Sequence, residues 1–316
     1  MAVSPTSGEP EYVNDITTDR STNGSSVSGD ELAGWMDILS LAISLVGMVG
    51  NGIVLWLLGF HIQRTPFSVY ILNLAAADTL LLCCSFLISI HRLVKYLDNS
   101  FSYEVVLYIK LMSYAVGLNL LAVISTERCL SVLFPIWYRC HRPKRMSAAV
   151  CAVLWTLHGL FWVAYFIVYV RIKHKYFKHI LFITEFVWFV LLTCVLCVSS
   201  LTLLLRVQCS SQRRHPPRLY LLVLLTVLVF LVCGLPLEIR FFIEYLSRIS
   251  MHYWLAHLMA CVNSSVNPII YFFLGRRRHK RRESLKVILQ RALGNEQELE
   301  GALRNNPHTN SSETSF

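Results

Sequence analysis

The chain has 316 residues, of which 55% are hydrophobic and 15% are charged, and its formal net charge is +10. Its apolar residues come in long blocks and exceed what one soluble core of this length can bury, which excludes an ordinary soluble enzyme or binding domain. The basic residues flank these blocks instead of forming one patch, so the charge indicates contact with anionic lipid headgroups and not with nucleic acid.

Seven apolar blocks are long enough to cross a bilayer, which requires about 20 residues of α-helix. In chain order the blocks are 35–60, 67–90, 105–134, 148–170, 177–205, 219–245 and 253–274. Because the connecting segments are short, the blocks predict an all-α membrane protein built as one seven-helix bundle over residues 35–275. Residues 1–34 are predicted to be a disordered extracellular segment, 276–292 an amphipathic cytoplasmic helix and 293–316 a disordered cytoplasmic tail.

Lysine and arginine concentrate in alternate loops and after the seventh block, including residues 139–145 and 276–282. By the positive-inside rule these segments are cytoplasmic, which places the amino terminus outside the cell. Asn23, in Asn23-Gly24-Ser25, is then an exposed acceptor for N-glycosylation. None of the ten cysteines falls in a predicted extracellular loop, and no spacing is typical of a metal or cofactor site. We therefore predict no disulfide, no metal and no cofactor.

Several polar residues lie inside the apolar blocks, where each is costly. Asn51 is in the first block, Asp78 in the second, and Asn263, Ser264 and Asn267 are in the seventh. Laid antiparallel, these blocks place the five side chains at similar depth, which predicts a hydrated polar cluster in the bundle interior. Ordinary interhelical hydrogen bonding that holds the helices together explains the same residues.

Two prolines interrupt these helical patterns. Pro268 follows Asn267 in the seventh block, and Pro236 follows Gly234 in the sixth. Because proline lacks the backbone N–H and glycine lacks a side chain, both places permit a kink. We interpret them as soft points at which helix packing can change.

Glu127 and Arg128 lie near the end of the third block and form an acid-base pair at the edge of a spanning helix. An ionisable pair in that position predicts a functional site in which each residue is the partner of the other. The alternative is a plain helix end, where Arg128 reaches the headgroups and Glu127 is solvated.

Lys110 lies 18 residues before Arg128, which is five turns along the same face of the third helix. The outer halves of the fifth and sixth blocks carry Glu185, Glu238, Arg240 and Glu244. One interpretation is a ligand pocket in which Lys110 binds an anionic group and a glutamate binds an amine. The other is an internal salt bridge between Lys110 and one of those glutamates.

At this point the motifs resemble a known family. Asn51, Asp78, the Glu127-Arg128 pair, Trp155, Pro236 and Asn267-Pro268-x-x-Tyr271, in this order on seven blocks, are similar to the rhodopsin-like G-protein-coupled receptors. Residues 124–144, 70–78 and 264–275 resemble more narrowly the Mas-related receptors. Tyr103 stands where most rhodopsin-like receptors carry a disulfide cysteine, and Gly234 where most carry a tryptophan.

The resemblance implies a plasma-membrane receptor for a small or peptide ligand, which can carry an acidic group. It implies coupling to a heterotrimeric G protein, Gq first and Gi second, and regulation by arrestin. Glu127 would restrain Arg128, and activation would involve Gly234, Pro236, Asn267, Pro268 and Tyr271. A candidate sodium site would be lined by Asp78, Asn51, Asn263 and Ser264.

The same residues bear on functions of other classes. No catalytic set is present, so we predict that the protein is not an enzyme. The alternative function is a membrane transporter of a small anionic solute, although transporters more often show an inverted repeat. The terminal Thr314-Ser315-Phe316 fits a ligand of a PDZ domain.

Overall fold

The computed structural model describes residues 22–63, 65–94, 100–143, 145–172, 175–209, 218–247, 253–276 and 284–293. Within these ranges the chain forms helices and no strand. In chain order the α-helices are α1 (Thr22–Trp56), α2 (Pro66–Val94), α3 (Ser100–Leu133), α4 (Pro135–His141), α5 (Met146–Phe166), α6 (Lys175–Cys209), α7 (Arg218–Val229), α8 (Leu235–Ser247), α9 (Tyr253–Gly275) and α10 (Leu285–Ala292).

Each of the seven predicted spans has a helical counterpart. Six helical stretches of the described chain are long and apolar enough to cross a membrane, and a shorter apolar helix, Leu221–Leu237, supplies the seventh. The first to seventh spans are thus α1, α2, α3, α5, α6, α7 with α8, and α9. Large apolar side chains such as Leu160 and Val198, each 66% exposed, cover the outward faces. Such faces suit lipid, so the predicted all-α membrane bundle is confirmed.

The first helix begins earlier than the sequence predicted. It starts at Thr22, within the segment 1–34 that was predicted to be disordered, whereas residues 1–21 lie outside the described part. Extending an existing helix adds one hydrogen bond for each residue that is ordered, so a stable span can continue into its polar flank.

Three π-helical turns interrupt or extend the spans: Leu57–His61, Ile167–Ile172 and Phe230–Gly234. The last one joins α7 to α8, immediately before Pro236. The hydroxyl of Tyr114 on α3 donates to the Gly234 carbonyl oxygen at 2.8 Å. A Cβ on Gly234 would lie only 2.5 Å from the Phe230 ring, so this turn requires glycine. The predicted soft point of the sixth span therefore coincides with a π-helical turn that is bonded to the third span.

The third span is the centre of the bundle, since α3 contacts α2, α4, α5, α6 and α7. Its buried apolar side chains include Leu120, Leu121 and Ile124. Any polar group on α3 is consequently surrounded by several helices that can supply its partner.

The last helix, α10, packs against the end of α9. Its side chains Ile288 and Leu289 are buried, and Arg291 donates to the Gly275 carbonyl oxygen at 2.9 Å. The helix lies within the predicted range 276–292, of which residues 277–283 are outside the described part. Arg291 therefore caps the carboxyl-terminal end of α9, whereas the sequence predicted only headgroup contacts for this basic helix.

Gly47 marks the closest approach of α1 to its neighbours. A Cβ at this position would collide with the Ser265 hydroxyl and lie 2.8 Å from Leu82 Cδ1. We expect Gly47→Ala to destabilise the bundle by about 1–3 kcal/mol through overpacking. Gly52→Ala is the matched control, because a Cβ there meets nothing within 4 Å. Thermal unfolding of both variants in detergent tests this, and equal melting temperatures would contradict it.

Candidate functional site

Three separate polar groups lie in the bundle: one around Glu127 at one end, one around Asp78 in the middle and one around Lys110 at the other end. We name the end that carries Glu127 the Glu127 end, and the opposite end, which carries Lys110, the Lys110 end. The starts of α2 and α5 and the termini of α3 and α9 meet at the Glu127 end because successive spans run antiparallel.

Glu127 is buried, with 5% of its surface exposed, and its carboxylate accepts hydrogen bonds from three side chains. The hydroxyl of Tyr70 donates to Oε1 at 2.7 Å, and that of Tyr138 donates to Oε2 at 2.9 Å. Arg142 Nη2 lies 2.9 Å from both oxygens and also donates to the Ser147 hydroxyl. We name this group the Glu127 cluster; it joins α2, α3, α4 and the start of α5.

The charges of this cluster stabilise each other. Burial alone would lower the pKa of Arg142, but the hydrogen bonds and the negative charge of Glu127 outweigh it, and the pKa is raised. Burial raises the pKa of Tyr138, and the hydrogen bond to Glu127 adds to this. Arg142 therefore stays charged and the Tyr138 phenol stays protonated at physiological pH.

The structure shows a partner of Glu127 that the sequence did not predict. The sequence predicted that Glu127 and Arg128 are partners, whereas the carboxylate pairs with Arg142 at 2.9 Å. The Arg128 guanidinium lies over the Phe67 ring, 4.5 Å from its centroid. Sequence reasoning used Arg142 only as one of the basic residues that set topology. The short helix α4, whose first residue Pro135 favours a helix start, is what brings Tyr138 and Arg142 to the carboxylate.

The middle of the bundle holds the predicted polar cluster. Asn267 Nδ2 donates to Asp78 Oδ2 at 2.7 Å, and Asn51 Nδ2 donates to the Gly47 and Ser264 carbonyl oxygens at 3.0 Å each. Asn51, Asp78, Ser264 and Asn267 are all buried, as is Asn263. The structure thus brings together the residues that the sequence placed at one depth. The candidate sodium site stays a prediction. In this structure Asp78 accepts a hydrogen bond from the Asn267 amide, which occupies one of the carboxylate oxygens that a cation would bind.

The seventh span continues this cluster toward the Glu127 end. Pro268 lies inside α9, and Tyr271 is 1% exposed. Within the described residues, the phenolic oxygen of Tyr271 is buried without a hydrogen bond. A buried hydroxyl without a partner is costly, so it favours a second arrangement in which a partner is found.

The Lys110 end contains an aromatic cavity of about 500 Å³ between α3, α5, α6 and α8. Two carboxylates, Glu104 and Glu185, reach it among aromatic side chains. The rest of its lining is Tyr103, Leu107, Tyr108, Leu111, Trp162, Tyr165, Tyr169, Phe182, Phe186, Phe189 and Phe242. Glu185 and Trp162 also line a second, largely apolar cavity of about 390 Å³ beside α5 and α6.

Lys110 does not join Glu185 in this cavity. Its side chain is 1% exposed, and its amine lies within hydrogen-bonding distance of His257 Nδ1 on α9. Arg240 is also buried, with its guanidinium 4.6 Å from the Tyr253 ring centroid. The predicted ligand residues therefore fall into two groups, one at the cavity and one beside the seventh span. Neither Glu104 nor His257 was found from the sequence, because neither lies in a motif.

Some predicted sites cannot be placed by their side chains. Glu238 and Glu244 belong to α8, and Asn23 to the first turn of α1, but the described part does not extend to these three side chains. Thr314-Ser315-Phe316 also lies outside the described residues. Asn23 glycosylation and PDZ binding therefore stay predictions.

The described part of the chain offers neither a metal cluster nor a disulfide. It contains no group of three or more His, Cys, Asp or Glu residues that could hold a metal ion. Nine cysteines, including Cys83 and Cys84 on α2, are free thiols, and the side chain of Cys209 lies outside the described part.

The chain is similar to known seven-transmembrane receptors. The family model of the 7 transmembrane receptor (rhodopsin family) matches residues 50–271. Mas-related G-protein coupled receptor member X1 of Mus musculus is 44% identical over 273 residues, covering 82% of this chain and 84% of the relative. Member D of Macaca fascicularis is 45% identical, with coverages of 83% and 86%, and member B2 of Mus musculus is 43% identical, with coverages of 88% and 87%.

The Glu127 cluster yields a stability prediction. We expect Arg142→Met to destabilise the protein by about 3 kcal/mol, because removing one partner of a buried ion pair leaves the other charge uncompensated. Thermal unfolding in detergent measures the effect. Arg145→Met is the matched control, since Arg145 is exposed at the start of α5, and we expect a change within about 0.5 kcal/mol. An Arg142→Met variant as stable as the control would contradict the role of the pair.

Proposed function

Because the chain belongs to the rhodopsin family of seven-transmembrane receptors and, within it, to the Mas-related G-protein-coupled receptors, we propose that its Glu127 end faces the cytoplasm. The basic loops of that end support this orientation. The amino terminus with Asn23 then lies outside the cell. As a member of this family the protein is a multi-pass plasma-membrane receptor that answers an extracellular ligand through a G protein, and the relatives do not support the transporter alternative.

The observation that carries our proposal for signalling is the buried Glu127 cluster. Four elements, α2, α3, α4 and α5, depend on one carboxylate that Tyr70, Tyr138 and Arg142 bind together. If the carboxylate of Glu127 moves away, all three side chains lose their shared partner together. The cluster therefore acts as a two-state element at the G-protein face. The resting receptor keeps the α4 segment docked, and activation releases it together with Arg128.

The sixth span supplies the moving part. Its π-helical turn at Phe230–Gly234 is bonded to Tyr114, and Pro236 leaves a backbone hydrogen bond unmade. Bending at this turn shifts α7 at the Glu127 end relative to α3. Tyr271, whose hydroxyl has no hydrogen bond in the described part of the chain, gains one when the packing between α7 and α9 changes.

The ligand site is the aromatic cavity. Aromatic faces and two carboxylates, Glu104 and Glu185, favour a ligand that carries a cationic group. A volume of about 500 Å³ accommodates a small molecule or the end of a peptide. Leu111 of its lining is one helical turn from Tyr114, so a ligand that displaces α3 or α8 acts directly on the π-helical turn.

The downstream partners follow the family. Coupling to Gq is our first choice and Gi the second. Phosphorylation of the serines and threonines near the carboxyl terminus adds the charge that recruits arrestin.

We expect Arg128→Ala to abolish G-protein activation while leaving surface expression intact, because Arg128 is the cation exposed to the G protein on activation. A G-protein dissociation assay with Gq and Gi sensors measures this together with the basal signal. Arg145→Ala, an exposed arginine of the same end, is the control and should couple normally. Normal coupling by Arg128→Ala would refute the proposed mechanism.

For the ligand site we expect Glu185→Gln to weaken the response to a cationic agonist about tenfold or more, as loss of a buried ionic partner usually does. The probes are aromatic amines, each paired with its neutral N-acetyl analogue, in a calcium assay. Glu31→Gln is the control because Glu31 is exposed on α1. Equal activity of amines and neutral analogues, or an unchanged potency in Glu185→Gln, would argue against the assignment.

A further inference from the structure

Lys110 is a buried charge whose observed partner is not an acid. Its side chain is 1% exposed, and its amine contacts His257 Nδ1. Among the described residues this amine forms no ion pair with a carboxylate, and the nearby Asp37 pairs with Arg92. The internal salt bridge that the sequence suggested for Lys110 is therefore not seen with Glu185, while the side chains of Glu238 and Glu244 lie outside the described part.

The contact with His257 defines the hydrogen-bond pattern. An ammonium group only donates, so Nδ1 of His257 accepts and the proton of the ring is on Nε2. Nε2 lies 3.2 Å from the Ser89 hydroxyl. The imidazole is consequently neutral and does not offset the charge of Lys110. One ammonium hydrogen is used by this contact, and two are left to donate elsewhere.

Tyr253, at the start of α9, brings further positive groups to the same place. Arg92 lies 4.0 Å from its ring centroid, Arg240 4.6 Å and Lys110 5.8 Å. The phenolic oxygen of Tyr253 is buried and forms no hydrogen bond within the described part of the molecule. A donor without a partner is thus present beside cations that reach the ring from α2, α3 and α8.

The one acidic side chain near Arg92, Lys110 and Arg240 in the described part is Asp37 on α1. Its carboxylate forms an ion pair with Arg92 at 3.0 Å. Asp37 also interacts electrostatically with Lys110, so two described cations, Arg92 and Lys110, share one carboxylate. A buried charge that is only partly compensated is costly, and an anion placed against it lowers that cost.

We propose that Lys110, Arg92 and Tyr253 form a binding site for a small anion between the second, third and seventh spans, separate from the aromatic cavity. The two remaining ammonium hydrogens, the Tyr253 hydroxyl and the Arg92 guanidinium are its donors. Lys110 and His257 are almost fully buried, so the site admits chloride or a small carboxylate and not a bulky anion. This site goes beyond the proposed function, because it needs neither an agonist nor a G protein.

The test is thermal unfolding of the purified receptor at constant ionic strength, with chloride or acetate replacing methanesulfonate stepwise. A ligand that binds the folded state raises the melting temperature with its concentration. We expect chloride, acetate or both to do so in the wild type. In Lys110→Met the apparent affinity should fall at least about tenfold. Lys178→Met is the matched control, as Lys178 also lies over an aromatic ring, 3.9 Å from the Tyr169 centroid, and should respond like the wild type.

The two arms identify the anion. A response to chloride alone supports a chloride site, and a stronger response to acetate supports a site for the carboxylate of a ligand. Tyr253→Phe removes one donor only and should weaken the response severalfold, which decides the question if Lys110→Met does not fold. The proposal would be overturned if neither anion stabilised the wild type. It would also be overturned if Lys110→Met and Tyr253→Phe both responded like the wild type.

Discussion

A polar group inside hydrocarbon has no water to bind, so it must find its partner within the protein. This constraint organises the whole bundle. Glu127, Asp78 and Lys110 are each at most 5% exposed, and each is bound by a side chain from another span or loop. The three contacts lie at successive depths and join the spans that apolar packing alone would leave free to slide.

The third span connects these depths because it is surrounded by five other helices. Lys110 lies near one end of α3 and Glu127 near the other, and Tyr114 between them binds the backbone of the sixth span. At the same residue, the missing Cβ of Gly234 leaves room for the Phe230 ring. In our proposal, a displacement of α3 by a ligand reaches the π-helical turn through the Tyr114 hydrogen bond, without an intervening loop.

The cysteines whose side chains the structure describes are free thiols, and none of them forms at the Lys110 end the disulfide that most rhodopsin-like receptors have. Tyr103 takes the place of the expected cysteine and lines the aromatic cavity, with its ring 5.0 Å from that of His91 on α2. Asp37 and Arg92 pair the first two spans, and Arg92 covers Tyr253 of the seventh. Ion pairs and aromatic contacts can rearrange at a modest cost, whereas a disulfide cannot, so this end is suited to open and close.

The sequence by itself determined the class of fold and the family. The length of its apolar blocks dictates seven spans, and Asn51, Asp78 and Asn267 share one depth because α-helices have a constant rise. Its motifs identified the Mas-related branch, which the relatives confirm. These features are local or periodic, and they can therefore be read along the chain.

Only the tertiary structure decided which charges meet. It paired Glu127 with Arg142, 15 residues away, and it separated Lys110 from Glu185. Partners of this kind are chosen by the rotation of each helix and by the short helix α4, neither of which a hydrophobic pattern specifies. A buried charge takes whichever partner the packing brings within reach, and packing is a property of the whole bundle.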